Sequence, residues 1–260
     1  MINFSKDYRS KLPVIKRARG FRLYTQDGKR LVDLWQCGGE AILGHKPNNL
    51  LRDLKNTAER GLFAPFPNPQ EKRLLKALEK LFPKKSFRLY TEEADLHNAV
   101  ADYYSAVKTQ VSLPIWLPFS GFDCSVPLFK AVLPWTLAPK LLVLDNCLSQ
   151  YFPPSKLIST VILSAATRAV YDLLAAPERG VMRYKKIKIL FEQDKIKKRW
   201  LLNGIYLNSV NKDQNEWELI HKKYLHAGFL LPPTPELPLI LPGELSNGEE
   251  SALAAALNSI

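Results

Sequence analysis

The chain has 260 residues, 46% hydrophobic and 24% charged, with a net charge of +12. This composition excludes bulk disorder and a disulfide-stapled miniprotein, and the length suffices to bury a core in one or two domains. No apolar run reaches the ~18 residues of a membrane span, and the charged stretch Met1–Ser10 does not read as a signal peptide, so a cytoplasmic protein with no membrane partner is expected.

Phe21–Tyr24 and Arg30–Leu34 flank an Asp27-Gly28 turn, which predicts a β-hairpin. A helix is expected from Asn48 to Glu59. Asn68 caps the next, with Pro69 in its first turn and Leu74, Leu75, Leu78, Leu81 and Phe82 as its apolar stripe. Phe87–Tyr90 reads as a short strand. The helix after it, from about Glu93 to Lys108, aligns Leu96, Val100, Tyr103 and Val107 in one seam. Pro114–Phe119 and Lys140–Asp145 read as buried strands, the second ending in a carboxylate. Ser155 is the expected cap of a helix whose apolar residues, Ile158 through Leu174, keep helical spacing up to Pro177. Strands alternating with helices here predict a largely parallel sheet.

Beyond Glu178 the pattern changes. Ile187, Ile189 and Phe191 alternate with Lys186, Lys188 and Leu190, so Lys186–Phe191 reads as a strand with one wet face. Gly204–Val210 is a further strand. Asp213–His226 is a helix carrying Trp217, Ile220, Tyr224 and Leu225 on one face, with Gly228 as its C-terminal cap. Ser246 and Glu249 form a capping box for a last helix through Leu253 and Leu257.

Cys37, Cys124 and Cys147 are too scattered for a disulfide framework and read as buried or half-buried thiols. His221 and His226 lie five apart, on different helical faces, and no histidine pair has zinc-binding spacing, so no metal site is expected. Between residues 183 and 199, eight Lys and Arg face only Glu192 and Asp194. The reading is a solvated structural face, with a basic nucleic-acid-binding module as an alternative; no aromatic RNA-binding pattern accompanies the charge, so nucleic acid is not the expected partner.

The order Asp27-Gly28, Asp33, Gly38-Gly39, then Gly44-His45-Lys46-Pro47 resembles the N-terminal signature of the class III aminotransferases, one residue short in its last element. Thr91-Glu92-Glu93-Ala94, between a strand and a helix, stands where that family holds the phosphate of pyridoxal 5'-phosphate. Ala227–Pro233, Leu239–Pro242 and Leu245–Glu250 are similar to the family's closing segment. The likeness covers about two thirds of the chain, loosely. It implies an α/β fold: a reduced fold-type I sheet domain over 71–175, and a smaller α+β domain built from both chain ends, 1–70 plus 176–260.

By the same resemblance, Asp145 is the counterpart of the aspartate that pairs with the pyridine nitrogen, Thr91 belongs to the phosphate site, and Lys156 is the candidate Schiff-base lysine. Three departures stand against an enzyme. Lys156 follows Asp145 by only eleven residues, and the family's glycine-rich lysine turn is missing. Glu92 places a carboxylate where the phosphate would bind. Leu239–Leu245 lacks the family's substrate-binding arginine. His45 is expected to fix a turn beside a subunit contact, and Ser120, Gly121 and Asp123 to form a polar turn. The expected function is therefore a degenerate aminotransferase-like protein with a binding or scaffold role and no cofactor. The alternative is an active pyridoxal-phosphate enzyme using Lys156 and Asp145. The resemblance further implies a homodimer, with Trp35 and the apolar Phe63–Phe66 as contact residues, or else a small-molecule ligand or an aminotransferase partner.

Overall fold

The computed structural model describes residues 12–109, 111–178 and 183–259; the expectation for Met1–Ser10 lies outside them. Contacts divide the chain into two compact units.

The first unit comprises Pro47–Pro118 and Phe122–Ala176. Its helices are α1 (Asn48–Ala58), α2 (Pro69–Leu81), α3 (Glu93–Ala106) and α4 (Thr160–Leu174). Its strands are β4 (Lys85–Tyr90), β5 (Ile115–Trp116), β6 (Leu128–Ala131) and β7 (Lys140–Asp145). The Asn68 side chain accepts the Gln70 N–H at 2.9 Å, so α2 starts where its cap and proline place it. Leu74, Ala77 and Leu78 on α2, and Leu163, Ala166, Ala169 and Val170 on α4, are buried, and both α1 and α2 pack on α4. That packing places residues 47–70 with the sheet, whereas the sequence had grouped them with the chain ends.

The sheet order is β4-β7-β6-β5. β7 is antiparallel to both β4 and β6, and β5 is parallel to β6. Three strands therefore share one direction, and the expected parallel sheet is broken by the reversed β7. Leu141, Leu142, Val143 and Leu144 are fully buried, so β7 is covered on both faces, and an unbroken apolar strand of this kind carries no sign of its direction. Ser155 is not a helix cap. Its Oγ accepts the Leu89 N–H at 2.9 Å on the edge of β4, and α4 begins at Thr160 with no side-chain cap.

The second unit holds the residues up to Lys46, Phe119–Gly121, and the chain from Pro177 onwards. β1 (Ile15–Arg19), β2 (Arg22–Thr25) and β3 (Arg30–Asp33) form an antiparallel meander, joined in parallel by β10 (Phe229–Leu230). Gly28 takes φ +85° in the hairpin turn. β8 (Trp200–Asn203), β9 (Tyr206–Ser209) and β11 (Leu239–Ile240) form a second sheet. Helices α5 (Lys185–Phe191), α6 (Asp194–Lys197), α7 (Gln214–His226) and α8 (Asn247–Asn258) complete it.

Residues 186–191 are helical, not extended. Ile187, Leu190 and Phe191 are buried, spaced three and four apart, while Ile189 is exposed. Alternating hydrophobicity and helical spacing coexist in this hexapeptide, and packing of α5 on α8 selects the helix. On α7, His221 is buried beside Trp217 and Tyr224, and His226 is exposed, as their spacing requires.

Candidate functional site

Two places gather the residues that the sequence singles out. The first lies in the second unit. Asp33, 1% exposed at the end of β3, accepts the Trp35 and Gln36 N–H groups through Oδ1, both at 2.9 Å. Its Oδ2 lies 2.7 Å from His45 Nε2. Gly44, at φ +91°, has Gly20 backbone atoms 3.1–3.2 Å from where a Cβ would sit, and the His45 N–H donates to the Gly20 carbonyl at 2.8 Å. Gln36, Cys37, Gly38 and Gly39 all take positive φ, and the Gln36 amide donates to the Ile240 carbonyl at 3.0 Å. The motif residues Asp33, Gly44 and His45 thus hold a left-handed turn against the strands. Burial, with the charges of Asp33 and Glu40, pushes the Cys37 thiol up to about 12, which leaves it unreactive at neutral pH. Cys124 is half-buried, but Cys147 is exposed, contrary to expectation. Among the described residues, no group of three or more His, Cys, Asp or Glu side chains is placed to hold a metal ion.

The same unit joins the chain ends. Arg22 donates to both oxygens of Glu249, at 2.9 and 2.8 Å, and to Glu244 at 2.8 Å. Glu249 also closes the capping box, accepting the Ser246 N–H at 2.8 Å. The Arg22 hydrogen bonds outweigh burial and bring the Glu249 carboxyl down to about 2.

The second place is the sheet edge where β4, β5 and β6 end, the edge at which open α/β sheets bind ligands. Thr91 and Glu92, both exposed, leave β4 there, and Glu93 opens α3. Glu93 is ion-paired with Lys130 of β6, both side chains being mostly buried, and lies 3.3 Å from His97 Nε2. Burial opposes ionisation of Glu93, but the hydrogen bond and charge of Lys130, with His97 and Lys140, hold its carboxyl below the ordinary range. Lys156 reaches the same edge from outside: its Nζ, on a side chain 60% exposed, donates to Asp95 Oδ2 at 2.8 Å.

Asp145 is elsewhere. Because β7 runs against its neighbours, its carboxyl end sits beside Lys85 at the start of β4. Lys85 donates to Asp145 at 2.6 Å and to the Val126 carbonyl at 2.8 Å. Six residue steps along β4 separate Lys85 from Thr91, about 20 Å at 3.4 Å per residue. A pyridine ring and its phosphate arm cannot bridge that distance. The structure therefore brings Lys156 and Thr91 to one edge and leaves Asp145 at the other. Together with the carboxylates of Glu92 and Glu93 at the phosphate end, this arrangement does not fit pyridoxal phosphate. Lys130 is a site residue that the sequence does not single out. The only available signal was a lysine inside the apolar run Pro127–Leu133, a strand too short to stand out.

Asp123 is exposed in a polar turn, where it accepts the Ser125 N–H at 2.9 Å. In the basic stretch, Lys195 Nζ donates to the Asn258 carbonyl at 3.0 Å, at the C-terminus of α8, and Lys186 pairs with Ser251. No helix among the described residues is long and apolar enough to cross a membrane.

No protein-family model matches the chain. An uncharacterized protein of Treponema pallidum is 30% identical over 175 residues, which are 64% of this chain and 57% of that relative, so the chain covers less than two thirds of the relative's length. An uncharacterized protein of Borreliella burgdorferi is 28% identical over 249 residues, 92% of this chain and 87% of its own. Glutamate-1-semialdehyde 2,1-aminomutase of Thermus thermophilus is 34% identical over 71 residues, which are 27% of this chain but 17% of the aminomutase. Among solved structures, an ornithine aminotransferase of Plasmodium yoelii is similar with a TM-score of 0.71 at 12% identity, covering 95% of this chain and 92% of that one. An N-acetylornithine aminotransferase of Stenotrophomonas maltophilia is similar with a TM-score of 0.69 at 13% identity, covering 97% of each chain. At such identities the likeness establishes the fold.

Proposed function

We propose that this chain, which has the fold of the class III aminotransferases in a shortened form, is a degenerate relative of those enzymes that keeps the scaffold for binding and has lost cofactor chemistry. The observation that carries this reading is the reversed strand β7, which ties Asp145 to Lys85 at the edge opposite Thr91. Two further pairs support it. Lys130 is ion-paired with Glu93, and Lys156 with Asp95, so each amine is turned toward a carboxylate. Unpairing a mostly buried lysine from its carboxylate costs about 2 kcal/mol. The two compact units correspond, in this reading, to the reduced sheet domain and the domain made from both ends.

The test is incubation with pyridoxal 5'-phosphate, borohydride reduction and peptide mass spectrometry. An unmodified chain is the expected result; a pyridoxyl adduct on Lys130 or Lys156 would replace this reading with the enzyme alternative.

The partner we assign is a second copy of the chain. Gly61–Pro67 is exposed at every position and includes Leu62, Phe63 and Phe66, the last two about 60% exposed. Three large apolar side chains on one loop form a contact surface awaiting cover. A dimer that F63S/F66S converts to monomer in sedimentation is expected, and a wild-type monomer at micromolar concentration overturns the assignment.

A further inference from the structure

The short sheet of the second unit has an open edge. Its order, β11-β9-β8, leaves β8 outermost among the described residues. Leu201, Leu202 and Asn203 of β8 are exposed, the two leucines at 59% and 38%. Edge strands are ordinarily blunted by proline, a bulge or an inward-pointing charge, and β8 carries none of these. The Arg199 carbonyl accepts the Val210 N–H at 2.9 Å, and Leu201 pairs with Asn208 and Asn203 with Tyr206. In an antiparallel ladder bonded pairs alternate, so the N–H and C=O groups of Trp200 and Leu202 point away from β9. The hairpin is rigidly set: Gly204 takes φ +58°, and a Cβ there would lie 2.7 Å from the Phe119 carbonyl oxygen.

The charge beside this edge is mainly positive. Lys195, Lys197, Lys198 and Arg199 precede β8, all exposed, and outnumber the exposed carboxylates before them, Glu192 and Asp194, the latter 3.8 Å from Lys197. We propose that β8 is a docking edge for an extended acidic segment of a partner protein, which adds to the sheet as a fourth strand. The outward groups of Trp200 and Leu202 supply the main-chain bonds, Leu201 packs an alternate apolar side chain, and the cations before the strand pair with carboxylates. A second copy of this chain is disfavoured as occupant, because it would bring the same cations face to face.

The experiment uses the full chain and a fluorescein-labelled hexapeptide of alternating glutamate and valine, read by fluorescence anisotropy. Saturable binding is expected, weakened at least ten-fold by Leu202→Pro, which removes an outward N–H. In the double variant K197E/K198E the preference should move to the corresponding lysine–valine peptide. Slowed amide exchange at Trp200 and Leu202 on adding the peptide provides a readout in the unmodified protein, whether or not Leu202→Pro folds. The proposal is overturned by absence of peptide binding, by binding indifferent to both variants, or by binding without exchange protection at those two amides. It is equally overturned if the K197E/K198E-sensitive ligand is a phosphatidylglycerol vesicle or a single-stranded oligonucleotide and the peptide is ignored.

Discussion

Two ion pairs do opposite things in the two units. Arg22 and Glu249, 227 positions apart, join the first hairpin to the last helix with paired hydrogen bonds. Lys130 and Glu93, 37 positions apart, close the sheet edge where a ligand would enter. The first pair consists of groups whose best partners are each other, so the family-like chain ends are held by it. The second engages an amine and a carboxylate that a catalytic site would keep available. The comparison teaches that the motif residues at the chain ends act by folding the chain.

The largest expected effect comes from breaking the first pair. Arg22→Ala leaves Glu249, 9% exposed, without its main partner, and should cost about 2–3 kcal/mol, read from urea unfolding. The pH dependence sharpens this. Glu249 ionises near 2 in the folded protein and near 4.5 ordinarily. Its contribution is present above the higher value and lost as pH falls through the lower. The gap between wild type and R22A should therefore be full above about pH 4.5 and narrow toward pH 2; a gap independent of pH would assign the loss to packing of the arginine stem.

Lys130→Met should cost about 2 kcal/mol by leaving the Glu93 carboxylate mostly buried and unpaired, with E93Q restoring most of it in the double variant. A stable K130M would break the comparison, because the edge pair would then have no structural role. Ser246→Ala removes one cap bond while leaving Arg22 with Glu249, and a loss of about 1 kcal/mol of unfolding free energy is expected in thermal melts. Smallest is Lys156→Ala. Its surface pair with Asp95 predicts a change within about 0.5 kcal/mol, and a larger loss would show that the 152–159 segment depends on it.

The start of α2, the hairpin and the closing capping box were legible because each rests on contacts within a few residues. Asn68 binds the N–H two positions on, Gly28 takes the turn by itself, and Ser246 with Glu249 completes its own box. The strands Phe87–Tyr90 and Lys140–Asp145 were equally plain as apolar runs. Neither the direction of β7 nor the position of Lys130 on β6 was. A strand buried on both faces reads the same forwards and backwards, and its direction is fixed by β6 and β4, whose paired residues lie 10–16 and 50–60 positions away. That choice alone moves Asp145 from the ligand-binding edge to Lys85. Residues 186–191 show the same limit at short range: their apolar pattern fits two periods, and only the buried face of α8 against α5 decides between them. The sequence by itself determined the Asn68 and Ser246 caps and the Gly28 turn, because backbone sterics and nearest-neighbour hydrogen bonds act within one turn of chain. Tertiary structure decided which charged groups meet, because a buried charge takes whichever partner the sheet order sets beside it.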